Sequence, residues 1–135
     1  MAFAIDTNVL VRLLIDDDAR QAAAARALLR RAELAGESLL VLNAVLLECE
    51  WVLRSRYKLA PADIAQAFAA LLETEVLNVE DLGVIEEALS LWGQLPRAGF
   101  ADCLHCASAM GLGLQFATFD VGASKLPGAL LVPPA

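Results

Sequence analysis

Asp6 and Asp120 each directly follow a short apolar run, residues 2–5 and 114–119, of the length of a buried strand. In parallel α/β sheets ligands gather beyond the carboxyl ends of the strands, so a polar side chain that follows a strand is a site candidate by position. Parallel strands would bring both acids to one edge. Asp102 stands at the start of a helix leading into the second of those strands, where it can cap the helix and still point toward that edge. A fourth acid comes from the helix expected over residues 44–57. Glu48 and Glu50 lie on opposite margins of its apolar face of Val45, Leu46, Cys49, Val52 and Leu53, so periodicity does not choose between them. Pairing does. Glu50 has Arg54 at i+4 in the favourable order and reads as a solvated helix pair, whereas Glu48 has only Trp51 and Val52 at i+3 and i+4 and no local cation.

Three or four carboxylates on one site repel each other and take up protons unless a cation neutralises them. Oxygen-only donors select hard ions such as Mg²⁺ or Mn²⁺, which keep several waters when few carboxylates hold them. Such a centre can polarise a phosphoryl oxygen, activate a water and orient an in-line attack on a phosphodiester. In this reading Asp6 and Asp102 are direct ligands, Asp120 and Glu48 complete the shell or orient water, and Thr7, Asn8 and Thr118 support the ligands.

The elements that must position these acids follow from the apolar pattern. A helix capped by Thr7 or Asn8 runs to Leu14, and Asp16, Asp17 and Asp18 give an acidic start to a long helix that stops at Gly36. Strands are expected at 39–42, 76–79 and 130–132. Asn43 caps the helix over 44–57, Pro61 opens another through Glu73, Asp81 begins one that fades near Gly93, and 101–111 is helical. Short apolar strands alternating with amphipathic helices predict an α/β domain with a mostly parallel sheet covered on both faces. A single domain over 1–135 is expected, because a chain of this length buries about two thirds of its unfolded surface in one core.

Composition narrows the partners. Ten Lys and Arg against 17 Asp and Glu give 10 − 17 = −7, and 59% of residues are hydrophobic, which excludes a disordered chain. Residues 1–60 hold 8 basic and 8 acidic groups, while residues 61–135 hold 2 and 9, so the basic surface is confined to the first half. Arg12, Arg26, Arg30, Arg31, Arg54, Arg56 and Lys58 make up that basic surface. Binding to nucleic acid by a broad positive surface is thereby disfavoured, but contact through a metal ion is not. Three cysteines, an odd number, suit a reducing cytoplasm better than a disulfide framework, and no targeting or membrane-spanning stretch is legible.

At the four acids the sequence resembles the PIN-domain ribonucleases, and most closely the VapC-like toxins of bacterial toxin–antitoxin pairs. Ile5-Asp6-Thr7-Asn8-Val9-Leu10-Val11-Arg12 is similar to that family's first motif, and Leu46-Leu47-Glu48-Cys49-Glu50-Trp51-Val52-Leu53 to the second, whose register selects Glu48. Gly99-Phe100-Ala101-Asp102-Cys103-Leu104-His105 resembles the third and Ala117-Thr118-Phe119-Asp120 the fourth. The resemblance implies a three-layer α/β/α fold, a Mg²⁺- or Mn²⁺-dependent endoribonuclease with RNA as substrate, a homodimer, and inhibition by a small antitoxin protein. Two positions depart from the pattern. Gly99 stands where the family often has a further acid, and Val121-Gly122-Ala123-Ser124 replaces an acid and an aromatic.

Other readings compete. Cys103 and Cys106 form a Cys-x-x-Cys without a second cysteine pair, so small buried thiols are expected in place of a zinc or redox site. His105 is expected packed and hydrogen-bonded, and Trp51 and Trp92 in the core or a dimer contact. The alternative function is a catalytically silent or regulatory α/β module acting only through a protein partner. A phosphoacceptor domain lacks its acid pair here, and a haloacid-dehalogenase-like phosphatase would need an aspartate where Asn8 stands.

Overall fold

The computed structural model describes residues 3–135, in two compact units, the first ending at Glu80 and the second spanning Asp81–Ala135. Ala2, placed in the first strand by the sequence, lies outside the described residues.

The first unit holds β1 (Phe3–Ile5), α1 (Thr7–Leu14), α2 (Ala19–Leu34), β2 (Leu39–Val41), α3 (Asn43–Ser55), α4 (Pro61–Leu72) and β3 (Leu77–Val79). Its strands pair in parallel in the order β1-β2-β3, with Ile5, Val41 and Val79 in one register row. The residues that follow each strand therefore emerge on one edge. Parallel neighbours require crossover connections, which here are the helix pairs α1–α2 and α3–α4. Leu10, Leu39, Leu46, Leu53, Ile64 and Phe68 are buried between them. The C-terminus of α2 closes in a Schellman motif, with Glu37 N–H donating to Ala32 O at 2.9 Å and Gly36 N–H to Glu33 O at 3.2 Å. Gly36 has φ +67°, the left-handed conformation that glycine adopts without a Cβ penalty.

The second unit holds α5 (Leu82–Gln94), α6 (Phe100–Gly111), β4 (Phe116–Thr118) and β5 (Ala129–Leu131), with 3₁₀ turns at Pro96–Ala98 and Ala123–Lys125. Strands β4 and β5 are parallel, with Thr118 opposite Leu131. Helices α5 and α6 pack on each other, and Ile85, Leu91, Trp92, Phe100, Cys103 and Leu104 on them are buried. The rings of Trp92 and Phe100 meet at 5.2 Å between centroids.

The α/β class and its short parallel strands agree with the sequence, but several local expectations need correction. Neither Thr7 nor Asn8 caps α1. Asp6 does, because the helix starts as soon as β1 ends. Asn43 is the first residue of α3 and not its cap; the N-cap is Leu42, which offers no side-chain acceptor. Asp102 does not cap α6 either, since the N-cap is Gly99 and Asp102 sits in the first turn. Burial of the strands is also less than expected. Of β1 only Ile5 is buried, and Leu130, Leu131 and Phe119 are exposed. An apolar run reports affinity for a core, whereas a pleated strand turns alternate side chains to opposite faces, and only a backed face is buried.

Candidate functional site

Asp6 leaves the carboxyl end of β1 and uses Oδ1 to accept Val9 N–H at 3.1 Å, satisfying one of the free amides of α1. Its second carboxylate oxygen remains available. Thr7 is buried and Asn8 is exposed. Beside Asp6 lies a cleft of about 300 Å³, walled by Asn8, Val9, Arg12, Gln21 and Leu28. The sequence placed Arg12 in the basic surface of the first half, but the fold engages it locally. Its Nε donates to Gln21 Oε1 at 2.7 Å and its Nη1 to Asp17 and Tyr57 at 3.0 Å each. The Tyr57 hydroxyl, followed by Asp17, raises the pKa of the guanidinium. Arg26 lies 3.9 Å from Asp16, and Arg30, Arg31, Arg56 and Lys58 form no ion pair among the described residues.

Helix α3 presents Glu48 to solvent without an ion-pair partner among the described residues. Glu50 makes the expected pair with Arg54, at 2.8 Å. The pair is not solvated as expected: Glu50 is only 5% exposed, on the same buried side as Leu46, Cys49 and Leu53, and only Arg54 reaches water. Its two margins were equivalent by periodicity, and the tertiary environment of α3 buried one of them. The hydrogen bond to Glu50, then its charge, raises the pKa of Arg54.

Glu80 was not among the residues singled out from the sequence. It follows β3 as Asp6 follows β1, and its Oε1 accepts Asn43 N–H at the start of α3. The rule that polar residues after strands are candidates would have found it, had it been applied to the third strand as to the first. Asn43 Oδ1 is enclosed without a hydrogen-bond partner among the described residues.

In the second unit Asp102 occupies the first turn of α6, half-buried, where an acid complements the helix dipole. Asp120 follows β4, and its Oδ1 accepts Ala123 N–H at 2.9 Å. Thr118 Oγ1 accepts Asp120 N–H at 3.0 Å, fixing the backbone that carries the acid. A Cβ at Gly122 would meet Asp120 Oδ1 at 3.2 Å, so the glycine keeps room for that carboxylate.

The remaining candidates separate cleanly. Cys103 and Cys106 are buried and unbridged, and Cys106 donates to Pro127 O at 3.0 Å. Burial, then the Asp102 charge, pushes the Cys103 thiol up to about 11. Burial also pushes Cys49 up to about 12. Thiols held protonated are poor nucleophiles and poor ligands. His105 departs from the packed state expected of it. It lies off the stripe of Cys103, Leu104, Cys106 and Ala107 and is exposed, its ring 5.9 Å from that of Phe116. Trp92 is core, whereas Trp51 is 50% exposed.

Each unit thus contributes two of the four candidate acids, and each unit has one of them just past a parallel strand, Asp6 one residue after β1 and Asp120 two residues after β4. Within neither unit do three or more His, Cys, Asp or Glu side chains gather tightly enough to hold a metal, among the described residues. The donor set is entirely carboxylate and fits a hard divalent ion. Asp6 and Asp120 each spend Oδ1 on a backbone amide and keep Oδ2 for another partner.

A strand-end aspartate in each of two parallel α/β units defines the class, and the PIN domain family profile matches residues 3–129, across both units; the chain belongs to that family. Among characterised proteins it is 35% identical, over 81 residues, to a VapC ribonuclease of Aquifex aeolicus (strain VF5). That match covers 59% of this chain and 58% of the relative, so the chain spans less than two thirds of the relative's length. Among the described residues no helix is long and apolar enough to cross a membrane.

Proposed function

We propose that this chain is a divalent-metal-dependent endoribonuclease acting as the toxin of a toxin–antitoxin pair in the cytoplasm. One observation carries the reading: in a PIN-family chain, Asp6 and Asp120 each stand just past a parallel strand, anchored by one carboxylate oxygen to a backbone amide. The likeness to a VapC ribonuclease supports it.

Asp6 and Asp102 would hold Mg²⁺ or Mn²⁺ directly, with Asp120 and Glu48 completing the shell or orienting water. When bound, the ion supplies charge neutralisation at a scissile phosphate and an activated water for in-line displacement. The chain's own residues do the positioning. Val9 N–H fixes one oxygen of Asp6, Ala123 N–H fixes one of Asp120, and Thr118 pins the Asp120 backbone. Thr7 and Asn8 support Asp6 from the first turn of α1. Phosphates flanking the cleavage point are met by unpaired cations of the first unit, such as Arg30, Arg31, Arg56 and Lys58. Arg12 is excluded from that set by its bonds to Asp17, Tyr57 and Gln21. The partners in this reading are RNA, a cognate antitoxin protein and a second copy of the chain.

Cleavage of RNA in Mg²⁺ or Mn²⁺ by wild type, Asp6→Asn and Asp102→Asn tests the reading. Wild type is expected to cut and both folded variants to be silent. Folded variants that cut as fast as wild type would defeat the assignment.

A further inference from the structure

We propose that Glu80 is the positioning residue for Glu48, capping the N-terminus of α3 from another strand and so setting how that helix offers its acid.

A helix start leaves up to four amides without intrahelical partners, and a polar N-cap side chain ordinarily takes one of them. The other long helices of the first unit show how this is met by local sequence. Asp6 caps α1 and Asp18 caps α2 through Gln21 N–H at 3.0 Å, while Pro61 opens α4 without an amide to satisfy. Helix α3 has neither device. Its N-cap is Leu42, and the side chain of Asn43 has Oδ1 enclosed and without a partner among the described residues. The Leu42 carbonyl accepts Val45 N–H and Leu46 N–H at 3.0 Å each, but it cannot serve the amide of Asn43. Glu80 Oε1 does, across 37 residues of sequence.

The sheet makes this contact specific. Val41 and Val79 are paired in register, so Glu80 lies one residue beyond the row from which α3 springs two residues later. A carboxylate on the positive end of the helix adds dipole attraction to the hydrogen bond. Glu48 lies five residues further along α3, about 7.5 Å up the axis, so a tilt or fraying of the first turn moves it directly. The sequence therefore uses one acid of the strand edge to hold the helix that carries another. The assignment rests on the reading of Glu48 as part of the metal site.

The test uses the full chain and three proteins: wild type, Glu80→Ala and Glu80→Gln, with Glu80→Asp replacing the alanine variant should that one not fold. Exchange of the Asn43 amide is followed by NMR, and Mn²⁺ is titrated while line broadening at the Glu48 amide is monitored. Glu80→Ala is expected to speed exchange at Asn43 and to weaken Mn²⁺ binding about tenfold. Glu80→Gln, whose amide oxygen can still accept, is expected to restore most of both. The same holds for Glu80→Asp as for alanine, because its carboxylate is one methylene too short. Unchanged exchange at Asn43 overturns the proposal, as does fast exchange with a wild-type Mn²⁺ titration. Wild type without broadening at Glu48 overturns it too, since no ligand is then being positioned. Wild type that binds Mn²⁺ there but cuts no RNA overturns the ribonuclease reading alone.

Discussion

The Tyr57 hydroxyl donates to Asp17 Oδ2 at 2.6 Å while accepting from Arg12 Nη1 at 3.0 Å, and Arg12 itself reaches Asp17 Oδ1. Three segments meet in this contact: α1 through Arg12, the acidic turn before α2 through Asp17, and the end of α3 through Tyr57. Asp6 and Glu48 sit on two of those helices' chains, so the network ties together the backbone that carries both acids of the first unit.

Tyr57→Phe removes the shared hydroxyl and leaves the ring in place. The network is partly exposed, so the expected loss is up to about 1 kcal/mol of unfolding free energy in urea denaturation. Arg12→Lys is expected to lose more than Tyr57→Phe, because an ammonium cannot reach Gln21, Asp17 and Tyr57 together with a planar fork. Equal stability of all three proteins would show the network to be idle.

Asp6 has two tasks that substitution separates. Asparagine keeps an oxygen for Val9 N–H and removes the charge, so Asp6→Asn is expected within about 0.5 kcal/mol of wild type in stability but at least about 100-fold slower in RNA cleavage. Asp6→Ala loses the cap as well and is expected to cost about 1 kcal/mol. Parallel denaturation and cleavage assays check both. An Asp6→Asn protein that unfolds like the alanine variant would mean that the cap depends on charge.

What the sequence made legible was periodic, and what it hid was long-range. Every helix lies within a few residues of its expected span because apolar spacing, a stop signal such as Gly36 and a start signal such as Pro61 are local. The caps of α1 and α3 fall on Asp6 and Leu42, since the end of a strand decides where the next helix begins and local preference for Asn or Thr does not, while α6 starts after the 3₁₀ turn Pro96–Ala98 with Gly99 as its N-cap. Glu50 and Glu48 were symmetric about the apolar face of α3, and burial of Glu50 depends on neighbours distant in sequence. Glu80 was missed for the same reason, its partner lying 37 residues away. Asp6, Glu48, Asp102 and Asp120 could be singled out as candidates because each belongs to a short local motif.

The buried thiols make stability fall at alkaline pH. Cys49 and Cys103 are held up at about 12 and about 11 against an ordinary 9.0. Between about pH 9 and those values the unfolded chain has released protons that the folded chain retains. Folding therefore weakens as pH rises, by up to about 1.4 kcal/mol per pH unit for each such thiol. Stability attributable to them is complete below pH 9.0 and is lost as pH climbs through the folded values. Denaturation midpoints between pH 8 and pH 10.5 should fall less steeply for Cys49→Ala than for wild type. Iodoacetamide at pH 8 should label all three cysteines only after unfolding.

Gly99 occupies the place where the resemblance leads one to expect a further acid, and its backbone conformation disfavours one there. With φ +84° and ψ 149° it is in a region that residues with a Cβ rarely enter, although no atom lies within 4 Å of where a Cβ would project. Space is available and conformation is not. Gly99→Asp is therefore expected to destabilise the protein by about 1–3 kcal/mol and to loosen the start of α6, which carries Asp102 three residues later. Gly99→Ala should cost a similar amount, since the penalty belongs to the backbone and not to the charge. Urea denaturation of the two variants separates the explanations. An aspartate much worse than alanine would point to repulsion from Asp102, and an aspartate no worse than wild type would mean that the turn relaxes to accept it.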